Sequence, residues 1–84
     1  MTLTEKMNAV KQKAREDRIH IYKSGWPRGF EYGENPYYDM EIEKVLFYDM
    51  FPNDPRNPRA WAGFKRSDYI ITSKRTEKTS RSTE

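Results

Sequence analysis

Residues 25–38 read GWPRGFEYGENPYY, and we expect the rest of the chain to be organised around this stretch. Its three glycines are spaced four residues apart, and each of the first two is followed directly by an aromatic residue. Glycines at this spacing place bare backbone on one side of a helix or helix-like turn, where a bulky ring can pack closely. The spacing therefore predicts a glycine-lined surface that packs against Trp61 and Phe64, in the segment 60–64.

The order of motifs along the chain resembles that of a known family. A Gly-aromatic-x-x-Gly pattern that starts at Gly25 is followed by Pro36-Tyr37 and then by Trp61-x-Gly63-Phe64. This order resembles ribosome modulation factor and the small phage and plasmid proteins built like it. The resemblance implies a small, basic, helical protein that binds RNA surfaces and shuts down or modifies the translation machinery without catalysing a reaction.

The composition predicts one small domain with a thin core. The chain has 84 residues, of which 35% are hydrophobic and 35% charged, and its mean hydropathy is −1.15. A domain of this size buries only about 60% of the surface of its unfolded chain. Much of the apolar material is aromatic, and large rings each bury roughly 150–250 Å². We therefore expect a marginal fold that gains from a partner or from homo-oligomerisation.

Several classes of site are excluded or disfavoured by the residue types. The chain has no cysteine, so disulfides, thiol nucleophiles and cysteine-based metal sites cannot form. His20 is the only histidine, and pairing it with Lys23 or Glu16 gives no second proton-transfer partner in a defined pocket. We therefore predict no enzymatic activity, no metal, no cofactor and no small-molecule substrate.

No apolar run approaches the roughly 18 residues that a membrane span needs. The N-terminal segment is amphipathic and lacks the apolar core of a signal peptide. We expect a cytoplasmic protein with no membrane partner, located in the host cytoplasm if it is phage-encoded.

Charge is unevenly distributed along the chain. Residues 1–30 carry seven Lys or Arg against three Asp or Glu, residues 31–54 carry one against seven, and residues 55–84 carry eight against three. Two basic segments around an acidic one indicate either an anion-binding face or internal pairing of the acidic segment with a basic neighbour.

The first predicted helix begins at a capping box formed by Thr2 and Glu5 and runs over residues 3–23. Gly25 and Pro27 are typical of a helix end. Two alternatives stay open: Pro27 starts a short second helix, or the first helix continues with a kink at this proline.

The second predicted helix is capped by Asp39, covers residues 40–51 and ends before Pro52. Its apolar residues are expected to form the centre of the core: Ile42, Leu46, Phe47, Met50 and Phe51.

The third predicted helix starts at Asn57-Pro58 and runs to about Tyr69, with a strand over residues 69–72 as the alternative. The fold expected from the sequence is a mainly α, three-helix domain over residues 1–72, with a Gly- and aromatic-rich connection. Residues 73–84 are expected to be a disordered basic tail.

Basic residues combined with exposed aromatic rings are typical of RNA-binding surfaces, because cations neutralise phosphates and rings stack on bases. A solvated charged surface is the plainer interpretation. The predicted RNA-binding residues are Lys11, Arg15, Arg18, Lys23, Arg28, Arg56, Arg59, Lys65, Arg66, Lys74 and Arg75.

A second set of residues is expected to contact a partner protein: Glu41, Glu43, Tyr37 and Tyr38. The two acids and the two tyrosines each have a plainer interpretation. The acids suit the N-terminal end of a helix or pair with basic residues, and the tyrosines belong to the core.

These expectations combine into a non-enzymatic regulator that binds RNA or a ribonucleoprotein. It would inhibit or modulate the translation machinery or a host ribonuclease toxin of a toxin–antitoxin system, as small basic phage anti-defence proteins do. The alternative is an inhibitor or adaptor that binds a host protein through the acidic helix 40–51, without nucleic acid.

Overall fold

Two α-helices and a three-stranded antiparallel sheet form the part of the chain that the computed structural model describes, residues 1–74. The elements in chain order are α1 (Leu3–Glu16), β1 (Ile19–Lys23), β2 (Phe30–Glu31), α2 (Pro36–Met50) and β3 (Tyr69–Ser73). The fold is therefore α+β, and the prediction of a mainly α, three-helix domain is wrong.

Helix α1 begins where the capping box predicts. The Thr2 hydroxyl accepts a hydrogen bond from the backbone N–H of Glu5, and the Glu5 carboxylate accepts one from the backbone N–H of Thr2. The helix ends at Glu16 rather than Lys23, because Arg18 adopts a left-handed conformation with φ 52° that redirects the chain.

Strand β1 replaces the second half of the predicted first helix. Its sequence, IHIYK, alternates β-branched apolar residues with polar ones, which is the strand period. Ile19 and Ile21 are buried, whereas His20 and Tyr22 on the other face are half-buried. Tyr22 thus lies on a strand and not along the flank of a helix.

The glycines that we expected on a helix lie in and around a β-hairpin instead. Gly25 and Gly33 have φ values of 100° and 96°, and they occupy the turns before and after β2. Gly29 passes so close to β1 that an added Cβ would lie 3.3 Å from the carbonyl oxygen of Ile21. The predicted helical glycine surface is therefore wrong, because two of its three members need a left-handed backbone.

The two rings expected to pack on that surface are also elsewhere. Trp61 is 50% exposed and lies beneath the ammonium group of Lys44, with 5.6 Å between Nζ and the ring centroid. Phe64 packs against Tyr48 and Tyr69 at centroid distances of 5.4 and 5.7 Å.

Helix α2 begins earlier than predicted and ends as predicted. Asn35 is the N-cap, since its side-chain oxygen accepts a hydrogen bond of 2.9 Å from the N–H of Tyr37, and Pro36 occupies the first helical position. Asp39, predicted to be the cap, accepts a hydrogen bond from the N–H of Gly33 instead. The helix ends at Met50, just before Pro52.

The third predicted helix is wrong, and the strand alternative for its end is correct. Only two 3-10 turns, Pro58–Ala60 and Arg66–Asp68, lie between α2 and β3 in the described chain. Gly63 separates them with φ 85°, which interrupts a helix. Residues 69–73 pair with β1 because the edge of β1 opposite β2 needs a hydrogen-bonding partner.

The sheet order is β2-β1-β3, with β1 in the centre. The helices pack against each other and against β1. The buried core is formed by Val10, Ala14, Ile19, Ile21, Phe30, Ile42, Val45, Leu46, Phe47 and Tyr69. The apolar residues predicted for α2 thus form the centre of this core, with Met50 and Phe51 packed at its edge.

Strand β3 includes Ser73, the first residue of the predicted tail. Lys74 is described as well, and the rest of the predicted disordered tail, residues 75–84, lies outside the described residues.

Candidate nucleic-acid interface

The face of the sheet turned away from the core carries polar, aromatic and exposed apolar side chains. His20 is opposite Thr72 on β3, and Tyr22 is opposite Ile70. Because side chains alternate between the two faces of a strand, these four residues share the face that the core does not use. Ile70 is 59% exposed. We call these four residues the open sheet face.

Tyr22 differs from the other aromatic residues of residues 1–74. The phenylalanines, Trp26 and four of the other tyrosines each contact another ring, and Tyr32 donates a hydrogen bond to Glu43. Trp61 lies against Lys44. Within this part of the chain Tyr22 has neither a ring partner nor a side-chain hydrogen bond, so its ring is available for stacking.

The fold brings two basic segments together at one end of the sheet. The hydroxyl of Ser73 donates a hydrogen bond of 3.2 Å to the carbonyl oxygen of Asp17, and Ser73 is opposite Ile19 in the β1–β3 pairing. This contact joins the end of β3 to the connection between α1 and β1. We call the cations Arg15, Arg18 and Lys74, which lie near this junction beside the acids Glu16 and Asp17, the basic end.

Ion pairing divides the predicted RNA-binding residues into two groups. Within residues 1–74, four arginines pair with a carboxylate: Arg18, Arg28, Arg56 and Arg66. Six cations pair with no carboxylate in the same stretch: Lys11, Arg15, Lys23, Arg59, Lys65 and Lys74. Arg75 lies outside the described residues. The second group thus has no ion-pair partner within the described part of the chain.

The paired arginines differ in how far their ion pairs are exposed to solvent. Arg18 lies 3.5 Å from Glu31 and remains 52% exposed, so the contact is weak and solvated. Arg56, by contrast, binds the buried carboxylate of Asp54, which Lys6 also contacts. The hydrogen bonds from Arg56 and then Lys6 hold the pKa of Asp54 well below its usual range. Arg56 is therefore a structural residue.

The carboxylates predicted to contact a partner are used within the chain. Glu41 accepts a hydrogen bond of 3.1 Å from the hydroxyl of Tyr69, and Glu43 accepts one of 2.5 Å from the hydroxyl of Tyr32. Burial, reinforced by Glu41, raises the pKa of Tyr69 to about 12. Burial and then the Glu43 hydrogen bond raise the pKa of Tyr32. These contacts tie α2 to the sheet and to the segment after β2.

The two tyrosines of the predicted partner site have different surroundings. The Tyr38 ring stacks on Phe30 with a centroid distance of 3.7 Å and contacts Trp26 at 4.8 Å, so it belongs to the packing around the core. Tyr37 is 57% exposed. The structure thus separates two neighbouring residues into an interior ring and a surface ring.

His20, one of the four residues of the open sheet face, contacts two groups of the chain through its ring nitrogens. Its Nδ1 lies 3.1 Å from the carbonyl oxygen of Arg18, and its Nε2 lies 3.4 Å from the carboxylate of Glu31. Both ring nitrogens therefore have neighbours that orient the imidazole. Among residues 1–74, no group of three or more acidic or histidine side chains could hold a metal ion.

The open sheet face was not predicted, because residues 19–23 were assigned to a helix. Two signals for it are present in the sequence: the alternation of IHIYK and the β-branched run over residues 70–72. Pairing of these two segments, 46 or more residues apart, was needed to put Tyr22 beside Ile70.

No helix within residues 1–74 has both the length and the apolar character required to cross a bilayer. No protein-family model, curated protein or solved structure matches the chain. The resemblance to ribosome modulation factor therefore stays a prediction that rests on the motifs of residues 25–64.

Proposed function

We propose that this protein is a non-enzymatic regulator that binds single-stranded RNA across the open sheet face and the basic end. Its effect on the translation machinery, or on a host ribonuclease toxin, would depend on this RNA contact. The observation that carries the proposal is Tyr22, whose ring has no ring or hydrogen-bond partner among residues 1–74, on a strand whose neighbourhood carries Arg18 and Lys74.

The chemistry of the surface suits unpaired nucleotides. A base can stack on an aromatic ring whatever its sequence, and each such contact contributes about 1–3 kcal/mol. Ile70 beside Tyr22 extends the apolar surface on which a base can lie. Cations near the ends of the strands would neutralise phosphates of an RNA strand that lies across this face.

The distribution of charge supports the same proposal. The acids of α2 are held by contacts within the chain, whereas the two basic-end residues Arg15 and Lys74 lack a carboxylate partner in residues 1–74. Arg15 and Lys74 are both exposed. Three further cations follow Lys74 in the sequence: Arg75, Lys78 and Arg81.

The stacking contact can be tested with a fluorescently labelled single-stranded RNA of about a dozen nucleotides, a length within the usual site size. Anisotropy titrations at low salt are expected to show binding by the wild type. Tyr22→Ala is expected to weaken binding by about 1–3 kcal/mol. Tyr37→Ala, which removes an exposed tyrosine on α2, is the matched control and is expected to leave affinity within about twofold of the wild type.

The phosphate contacts can be tested through the salt dependence of the same titration. Replacing Arg15 and Lys74 together by glutamine is expected to reduce the slope of log K against log salt by about 1.4, because each phosphate contact on a single strand contributes about 0.7. The control is the double variant Lys44→Gln and Arg59→Gln. It also removes two positive charges, but from the region beside Trp61. It is expected to keep the wild-type slope.

Three results would contradict the proposal. The first is no RNA binding by nuclease-treated protein at low ionic strength. The second is an equal loss of affinity in Tyr22→Ala and Tyr37→Ala. The third is a partner from a host lysate that is retained unchanged after ribonuclease treatment, which would favour the adaptor alternative.

A further inference from the structure

A cavity of about 480 Å³ lies beside β2, where residues of β1, of β2 and of the turns around β2 form its walls. We call it the hairpin cavity. The polar side chains that line it are His20, Arg28, Glu31, Tyr32 and Glu34. Its volume lies within the roughly 300–1,000 Å³ that is usual for sites of small ligands.

The strand pairing connects the hairpin cavity to the open sheet face. His20 belongs to both, and it is opposite Glu31 in the pairing of β1 with β2. Residues opposite each other share a face of the sheet, so Glu31 lies on the same face as Tyr22. Tyr22 is two residues further along β1, about 7 Å from His20. An RNA strand with one base stacked on Tyr22 can therefore place another base in the cavity.

The two carboxylates of the hairpin cavity differ in how they are held. Glu34 is occupied, because it accepts a hydrogen bond of 2.8 Å from Arg28 and one of 3.0 Å from the backbone N–H of Glu31. The Glu31 carboxylate lies 3.5 Å from Arg18 and 3.4 Å from His20, and its side chain is 35% exposed. Both distances exceed the roughly 2.7–3.2 Å of a good hydrogen bond. Glu31 can therefore accept shorter hydrogen bonds from a ligand.

Arg28 supplies a flat surface at the wall of the cavity. Its guanidinium carbon lies 4.2 Å from the centroid of the Phe30 ring, and its Nη1 donates a hydrogen bond of 2.9 Å to the carbonyl oxygen of Gly29. Together with the Glu34 pair, these contacts hold the guanidinium group in one orientation. The side chain is nevertheless 57% exposed. A guanidinium plane held in this way is a surface on which a base can stack.

We propose that the hairpin cavity binds a guanine base of the RNA strand, with the Glu31 carboxylate as the acceptor. This inference rests on the proposed function. An ionised carboxylate only accepts hydrogen bonds. Among the four RNA bases, guanine alone has two adjacent donors on its Watson–Crick edge, N1–H and the N2 amino group, and proteins read unpaired bases at this edge. The other three bases would turn at least one acceptor towards the carboxylate.

The charges of the cavity are compatible with RNA. Glu31 and Glu34 are matched by Arg18 and Arg28, so the acids do not leave a net negative charge. A guanine bound to Glu31 replaces the weak contact of Arg18. The Arg18 guanidinium is then available to a phosphate of the same strand.

The proposal can be tested with oligouridines of about a dozen nucleotides that carry G, A, C or U at one central position. Anisotropy titrations of the wild type are expected to show at least about fivefold tighter binding of the G-containing RNA than of the other three, as is usual for a bidentate contact to a base. A fifth RNA carries inosine, which lacks the N2 amino group, and is expected to bind with intermediate affinity.

Glu31→Gln is expected to abolish the preference for guanine, because an amide offers only one acceptor. Its affinity for oligouridine is expected to equal or exceed that of the wild type, since a negative charge has been removed. Glu16→Gln is the matched control, because it removes an exposed acid on α1 outside the cavity. It is expected to change the affinity for all RNAs by the same factor and so to keep the preference.

Equal binding of the G, A, C and U oligonucleotides by the wild type would overturn the inference, as would inosine that binds as tightly as guanosine. A guanine preference that is unchanged in Glu31→Gln would also overturn it. The inosine comparison needs only the wild type, so the test does not depend on the folding of a variant. Equal binding of all RNAs that is still weakened by Tyr22→Ala would leave the proposed function intact, whereas no binding of any RNA would contradict both.

Discussion

At the scale of single residues, backbone conformation decides what the glycines do. Gly25 has φ 100°, and an added Cβ would meet no atom within 4 Å. The reason for glycine at this position is therefore conformational and not steric. Gly29 is different, because its Cβ would press on the backbone of β1. The same residue type thus serves a turn in one place and a close strand contact in the other.

Gly25→Ala tests this distinction. In a helix, alanine would be about 1 kcal/mol more favourable than glycine. In the observed turn it must adopt a left-handed backbone, so we expect a loss of about 1–2 kcal/mol of unfolding free energy. Urea denaturation measures the difference, with Ser24→Ala as the neighbouring control. A Gly25→Ala variant as stable as the wild type would show that residue 25 does not occupy this turn.

At the scale of elements, the end of α2 depends on one buried amide. Asn57 is 1% exposed. Its Nδ2 donates hydrogen bonds to the carbonyl oxygens of Phe51 at 2.8 Å and Tyr48 at 3.1 Å. Its Oδ1 accepts a hydrogen bond of 2.9 Å from the N–H of Arg59. The residue satisfies the last carbonyls of one helix and also caps the following 3-10 turn.

Asn57→Ala is expected to lower the unfolding free energy by about 1–3 kcal/mol, because buried carbonyls lose their donors. Asn57→Asp at neutral pH is expected to cost more than the alanine change, since a carboxylate would face carbonyl oxygens. The loss of unfolding free energy in Asn57→Asp should become smaller at acidic pH, because the carboxylate is then protonated. Chemical denaturation at several pH values gives the comparison, and Asn53→Ala, exposed in the same loop, is the control. Equal stability of Asn57→Ala and Asn53→Ala would refute the capping role.

At the scale of the whole molecule, charged residues have two separate uses. Some hold distant segments together, as Asp54 does by binding Lys6 on α1 and Arg56 in the loop after α2. Others, such as Arg15 and Lys74, form no ion pair with a carboxylate among residues 1–74. The sheet side thus carries the proposed RNA surface.

The Asp54 contacts predict a specific response to acid. Because the pKa of Asp54 is lower in the folded protein than its unfolded value of about 3.9, the ionised carboxylate stabilises the fold above that pH. This stabilisation is lost as the pH falls below about 4 towards the lower folded value. Asp54→Asn is therefore expected to be less stable than the wild type at pH 7, and the difference should narrow below pH 4. Thermal unfolding across this range measures it, and a difference independent of pH would contradict the assignment.

The sequence by itself determined the features that depend on near neighbours in the chain. The capping box at Thr2, the end of α2 before Pro52 and the apolar residues Ile42 and Leu46 were all predicted correctly. Caps and helical periodicity act within about one turn, so a short stretch of sequence contains all the information they need. The uneven distribution of charge is likewise a property of the sequence alone.

Only the tertiary structure decided which segments form strands. IHIYK could not be assigned to a sheet until its partner at residues 69–73 was known, because the hydrogen bonds of a strand are made by residues far away in the chain. The candidate site depends on the same pairing, which places Tyr22 beside Ile70 and Lys74 near Arg18. It also took the packing of the folded chain to bring Glu41 and Glu43 to the hydroxyl groups of Tyr69 and Tyr32, which lie far from them in the sequence or on another element.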